Sequence, residues 1–182
     1  MAQINDWPGR NAAERLRQWP RIQELARAGV KAPFLGVVLL GSFARGEADD
    51  LSDVDFIVFA ADGDFEKAWA RRHFLHPTDA WCWDYPRPPR DRDVAAHRWL
   101  TGDFVLFDGL LATPSGTRIA DPMHVLAGDD ALSRQLVKRE PITGEERHRR
   151  GEEITLHEVE QLYGQLKLAL REHRRRNSSS TP

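Results

Sequence analysis

One stretch constrains the fold of this chain more than any other: residues 36–59, GVVLLGSFARGEADDLSDVDFIVF. The apolar run at residues 37–40 is short and partly β-branched, which predicts a buried strand, and the run at residues 56–59 predicts a second one. A glycine turn and a pair of aspartates lie between the two runs. The stretch therefore predicts a strand, a turn, a short helix or loop, an acidic pair and another strand, in that order.

The turn begins at Gly41-Ser42, and a second glycine follows at Gly46. Glycine has no Cβ, so the backbone can turn sharply at residue 41 and an anion can come close to it. Ser42 would open a helical turn whose hydroxyl and free amides can hold a phosphate oxygen. Arg45, between the glycines, either contacts a phosphate or lies solvated at the surface, and its sequence position does not decide between the two.

The acidic pair is Asp53 and Asp55, at positions i and i+2. In a strand these side chains point to the same face, roughly 7 Å apart along the chain. Mg²⁺ takes hard oxygen ligands, few of them from the protein and the rest from water and phosphate. Two such ions at this pair would activate an attacking oxygen and stabilise a leaving pyrophosphate.

A third carboxylate is expected within residues 103–112, DFVLFDGLLA, which predict a buried strand with Asp108 inside it. A buried carboxylate needs a partner, and a metal shared with Asp53 and Asp55 would supply one. Two divalent ions also need three carboxylates to offset their charge. Three other aspartates remain as alternatives that we rank lower: Asp103, Asp93 and Asp84.

Gly41-Ser42, Gly46 and Ser52-Asp53-Val54-Asp55 together resemble the G-S-x-x-x-G…[S/D]-D-x-D signature of the polymerase-β-type nucleotidyltransferase superfamily. Within it, the chain most resembles the small bacterial antibiotic (aminoglycoside and lincosamide) nucleotidyltransferases and the minimal nucleotidyltransferases. The resemblance implies an α/β fold, a nucleotidyltransferase-type mixed β-sheet flanked by helices, with a C-terminal helical cap.

The same resemblance implies a Mg²⁺-dependent enzyme that moves a nucleoside monophosphate from an NTP, ATP by analogy, onto a hydroxyl of a small-molecule acceptor such as an antibiotic. Gly41, Ser42 and Arg45 would contact the phosphates. Asp53 and Asp55 would bind both metal ions, and Asp108 would complete one metal site and act as base for the attacking hydroxyl. The alternative is an antitoxin-like minimal nucleotidyltransferase that binds or nucleotidylates a protein partner.

Length and composition limit which of these functions and locations we expect. With 182 residues the chain is of ordinary single-domain size and too short for a polymerase that grips a template. A net charge of −2 gives no general attraction to nucleic acid, so no nucleic acid template is expected. The single cysteine, the lack of a signal-peptide pattern and the lack of a long apolar run predict a cytoplasmic protein without a membrane partner. The sequence does not decide whether the chain forms a homodimer.

The rest of the chain is predicted to divide into a catalytic domain (1–125), a helical region packed on it (126–176) and a disordered tail (177–182). His73 and His76 are three residues apart, and without a third clustered ligand we expect them to be surface residues. The other predicted elements follow in chain order: a helix from Ala12 to Gly29 capped by Asn11 and kinked or split at Pro20, a helix over 63–75 capped by Asp64, a strand over 79–85, a loop over 86–93, a hairpin over 113–120, and helices from 129, over 141–150 and over 152–175.

Overall fold

A computed structural model of the protein describes residues 4–83, 93–119, 122–128 and 130–138. The chain divides into two compact units, residues 1–140 and residues 141–182, and every described residue belongs to the first. The predictions for Asp84, for most of the loop at 86–93 and for everything after residue 140 therefore lie outside the described residues.

The described part is built on one sheet of six strands in the order β3-β4-β5-β2-β1-β6. Strands β2 and β5 pair in parallel, and all other neighbours in this sheet pair antiparallel. The sheet is therefore mixed, as expected for the predicted fold class. The strand bounds are β1 Phe34–Leu39, β2 Val54–Ala60, β3 Trp81–Trp83, β4 Val94–Leu100, β5 Leu106–Ala112 and β6 His124–Gly128.

The central strand β2 is buried on both faces because its sequence after Asp55 is an unbroken apolar run. Val54, Phe56 and Val58 point to one face and enter the larger core cluster. Ile57 and Phe59 point to the other face and enter a smaller cluster. Asp55 alternates onto this second face, which we call the acid face.

Helices cover the sheet at several places. The short helices α1 and α2 supply Ala13, Ile22 and Leu25 to the larger core, and α5 supplies Leu132 to the smaller one. The helix bounds are α1 Arg10–Ala13, α2 Trp19–Ala28, α3 Gly41–Arg45, α4 Phe65–Ala70, a 3-10 turn Arg72–Leu75, and α5 Asp130–Gln135. Among the residues described, no helix is long and apolar enough to cross a membrane.

The N-terminal helix is split, as predicted, but Pro20 lies at the start of α2 rather than inside a kink. A proline fits the first turn of a helix because its missing N–H has no partner there anyway. Gly29 ends α2 as expected, whereas the N-cap of the first helix is Gly9 and not Asn11. Trp19 packs against the larger core, 6.0 Å from Trp7 between ring centroids.

Several elements differ from the predictions. Strands β4 and β6 were not predicted, and the predicted return strand after residue 116 is absent within 117–119, where Ile119 makes only an isolated bridge to Lys138. The predicted helix over 63–75 is two pieces, α4 and the 3-10 turn, with Asp64 at the N-cap position but without a side-chain cap bond. Strand β6 pairs with β1, so the sheet continues past residue 125, where the catalytic domain was predicted to end.

Candidate active site

The glycine turn bends the backbone sharply, as its sequence predicts. After β1, Leu40 is extended, α3 begins at Gly41 with φ 57°, and it ends at Gly46 with φ 72°. Both angles lie in the left-handed region that L side chains avoid. A Cβ at residue 41 would also overlap the carboxylate of Asp55. Residue 41 must therefore be glycine for two reasons: its backbone angle disfavours other residues, and the Asp55 carboxylate lies directly against it.

The predicted carboxylates meet on adjacent strands. Asp53 precedes β2, and Asp55 and Asp108 are register partners across the parallel β2–β5 pair. Register partners in a parallel pair point to the same face, so Asp55 and Asp108 both lie on the acid face. Of the alternatives, Asp103 lies in the β4–β5 turn and pairs with Arg21 at 3.3 Å, and Asp93 precedes β4.

The negative charges of Asp53 and Asp108 lie close enough to Asp55 to affect its pKa. Burial, and then the negative charges of Asp53 and Asp108, raise the pKa of Asp55 to about 6. Arg45 and Arg98 oppose the rise without cancelling it. Cations would relieve this repulsion, and carboxylate oxygens are the ligands that hard divalent ions prefer. Across the described ranges, however, no three His, Cys, Asp or Glu side chains already stand together as a preformed metal site.

Asp108 is already engaged by an arginine. Arg98 of β4 is its register partner in the antiparallel β4–β5 pair, and its Nε donates to Oδ1 of Asp108. Asp55, Asp108 and Arg98 therefore form a lateral row across three neighbouring strands. Arg98 was not among the predicted site residues because β4 itself was not recognised. The alternation of β4, with Ala95, His97 and Trp99 on the opposite, buried face, was the signal that could have revealed it.

The loop that carries Asp53 is fixed from the N-terminal region. Gln18 is fully buried, and its Nε2 donates to the carbonyl oxygens of Asp49 and Ser52, each at 2.8 Å. Arg17 donates from its guanidinium to the carbonyl oxygens of Asp103 at 3.0 Å and Phe104 at 3.2 Å. The residues just before α2 therefore bond both to the acidic loop and to the β4–β5 turn.

Two predicted phosphate contacts lie beside the glycine turn. Ser42 Oγ is buried and has no hydrogen-bond partner within the part of the chain that the structure describes. Arg45 is 45% exposed and forms an ion pair with Glu47 at 2.7 Å. Arg45 therefore lies at the surface, where it also borders a cleft.

This cleft has a volume of about 290 Å³. Its floor includes Ile57 and Leu110, each two residues along the strand from Asp55 and Asp108, so the cleft opens on the acid face. Its full lining is Leu40, Gly41, Arg45, Ile57, Leu110, Thr117, Arg118, Ile119 and Pro122. Arg118 was not predicted to belong to the site, since the sequence placed it in a hairpin strand.

His73 and His76, both predicted to be surface residues, differ in burial. His73 is exposed, but His76 is partly buried and contacts the Cys82 sulfur at 3.2 Å, so the prediction of two surface histidines is wrong for His76. His76 packs against Trp99, which points away from the acid face. Neither histidine belongs to the carboxylate group.

Residues 24–102 match the family model described as a nucleotidyltransferase domain. The matched segment contains the glycine turn, Asp53, Asp55 and the arginine of β4. The match and the geometry above agree in describing residues 24–102 as similar to a nucleotidyltransferase domain. The reaction class of such a domain is nucleotidyl transfer.

Two solved structures of Cid1 are similar to the chain, one in complex with its short product ApU and one in complex with the UTP analogue UMPNPP. The first has 15% identity and a TM-score of 0.37, and the second 16% identity and a TM-score of 0.34. Each match covers 60% of this chain and 32% of the Cid1 chain, so the protein spans about a third of the structures it matches. No curated protein matches the chain. We therefore rest the domain assignment on the family model and the site.

Proposed function

We propose that the protein is a Mg²⁺-dependent nucleotidyltransferase that moves AMP from ATP onto a hydroxyl of a small-molecule acceptor such as an antibiotic and releases pyrophosphate. One observation carries this proposal. Asp55 and Asp108 are register partners, and the Asp55 carboxylate lies against Gly41, so the acids and the phosphate turn share one point of the sheet.

The residues present suit a metal ion. Asp53, Asp55 and Asp108 supply only hard oxygen ligands, and the pKa of Asp55 is raised by burial and then by the negative charges of its two neighbours. When bound, the ion would supply electrostatic stabilisation of the charge that develops on the transferred phosphoryl group. Asp53 would hold it from the position just before β2, Asp55 from β2, and Asp108 from β5.

The donor polyphosphate would lie along the glycine turn. Gly41 allows a phosphate oxygen to approach the backbone, and Ser42 Oγ is a buried hydroxyl that needs a partner. Arg45 and Arg118 border the same cleft and carry the positive charge that a triphosphate requires. These four side chains or backbone positions would orient the leaving pyrophosphate.

Asp108 would also orient the acceptor. Its carboxylate lies between Asp55 and Arg98 in the row across the sheet, where one oxygen can accept the proton of an attacking hydroxyl. Leu40, Ile57 and Leu110 give the adjoining cleft an apolar surface.

The test is calorimetric titration of ATP and the other NTPs, first with Mg²⁺ and then with EDTA. We expect metal-dependent binding that is lost in Asp53→Ala and kept in Asp64→Ala, a matched control at the N-cap of α4. A screen of aminoglycosides and lincosamides by pyrophosphate release then tests the acceptor class. Full transfer activity in EDTA would contradict the metal-dependent mechanism, and release only with a co-purified protein would favour the protein-partner alternative.

A further inference from the structure

Arg98 places a positive charge beside the carboxylates of the acid face. It is the register partner of Asp108 on the acid face, and Asp108 is in turn the register partner of Asp55. Its Nε donates to Oδ1 of Asp108, and 27% of the Arg98 side chain and 36% of the Asp108 side chain are exposed. The guanidinium thus already neutralises one of the carboxylates that the proposed reaction assigns to a metal.

A divalent ion and this guanidinium cannot share Asp108 without cost. Coordination takes lone pairs from the same carboxylate, and the positive charges repel each other at a site that is only partly exposed to solvent. A half-exposed ion pair is also weak enough to be broken by a stronger ligand. Arg98 can therefore be displaced, but the displacement opposes metal binding at Asp108.

We propose that Arg98 is a positioning residue that acts as a built-in counter-ion: it holds Asp108 when metal is absent, and a divalent ion must displace it to complete the site. This inference rests on the proposed function. It predicts that the chain binds a divalent ion through Asp53 and Asp55 more readily than through Asp108. It also predicts that removing the guanidinium makes the Asp108 position easier to fill.

The experiment measures Mn²⁺ binding to the full chain by the loss of the free-ion electron paramagnetic resonance signal, without nucleotide. Arg98→Gln should bind Mn²⁺ about fivefold more tightly or better, the change expected when a competing half-exposed ion pair worth about 1 kcal/mol is removed. Arg98→Lys keeps the positive charge and should bind close to the wild-type affinity. Arg21→Gln, which removes an Arg–Asp ion pair at Asp103, should leave Mn²⁺ affinity unchanged.

The direction of the change separates this role from a structural one, because a variant that merely damages the site would bind metal more weakly. Unchanged or weaker Mn²⁺ binding in Arg98→Gln overturns the inference, and so does an equal gain in Arg21→Gln. The double variant Arg98→Gln/Asp108→Asn should lose the gain, and tight binding that persists in it also overturns the inference. A wild-type chain whose Mn²⁺ binding does not depend on Asp55 is a different result, since it overturns the metal-dependent function itself.

Discussion

Replacing Asp55 with asparagine should make the metal-free protein more stable while removing its proposed function. Burial and the charges of Asp53 and Asp108 raise the pKa of Asp55 from 3.8 to about 6. A raised carboxyl pKa means that the folded state holds the proton more tightly than the unfolded state does. The folded state is therefore penalised as pH rises from about 4 to about 6, and the full penalty applies above pH 6.

The size of this penalty follows from the same two pKa values. The change from 3.8 to about 6 corresponds to about 3 kcal/mol at most, at about 1.4 kcal/mol per tenfold change in proton affinity. Asp55 is only half-buried, so solvent screening reduces the expected value to about 1–1.5 kcal/mol. Asparagine is neutral at every pH and keeps the backbone bond from Leu40 N to the carbonyl oxygen of residue 55.

The assay is urea denaturation of Asp55→Asn and wild type in EDTA at pH 8 and pH 4. The variant should gain about 1–1.5 kcal/mol at pH 8 and nothing at pH 4, where Asp55 is protonated in the folded wild type. Asp6→Asn, at an exposed carboxylate, is the control and should show no such pH-dependent gain. A variant less stable than wild type at pH 8 in EDTA would refute the account of burial and repulsion at this site.

Three further outcomes are expected. Gly41→Ala should unfold at clearly lower urea than Gly63→Ala: both have positive φ, which costs about 1–2 kcal/mol, but only at Gly41 would the Cβ also meet a carboxylate. Gln18→Leu should lose about 1–3 kcal/mol by the same assay, because the part-buried hydrogen bonds to the carbonyls of Asp49 and Ser52 lose their donor, whereas Gln23→Leu should change little. Adding Mg²⁺ with ATP should raise the melting temperature of the wild type, and EDTA should abolish the rise; a rise that survives EDTA would contradict metal-linked binding.

The sequence was most informative where local chemistry decides the structure. A sharp turn was predicted at Gly41 because glycine has no Cβ, and both Gly41 and Gly46 have positive φ. The apolar runs on either side of the turn are long enough and β-branched enough to indicate buried strands, and β1 and β2 lie there. The pattern of residues 103–112 also predicted a strand with Asp108 inside it, and Asp108 lies in β5.

The sequence pattern could not predict which strands pair with each other or which distant side chains come into contact. The strand β4, VAAHRWL, has short and charged residues on its half-exposed face, so its pattern is weak until β5 is known to lie beside it. Arg98 could not be linked to Asp108 for that reason, since the link depends on register alone. Arg118 joins the cleft through a segment that is not a strand, and Gln18 reaches the acidic loop across 31 residues of chain to Asp49. The contacts of Arg118 and Gln18 have no periodic signal in the sequence.

The parallel pairing of β2 with β5 affects when the site forms during folding. On one side of this pair, β1 and β2 form an antiparallel unit, and on the other side β3, β4 and β5 form a second antiparallel unit. Each unit can register its own strands early, but Asp55 and Asp108 become neighbours only when the two units join. Pairing of strands that are distant in sequence is slow to form. The carboxylate pair should therefore form after the antiparallel pairs within the two units, and amide exchange along β5 would report when β2 and β5 have paired.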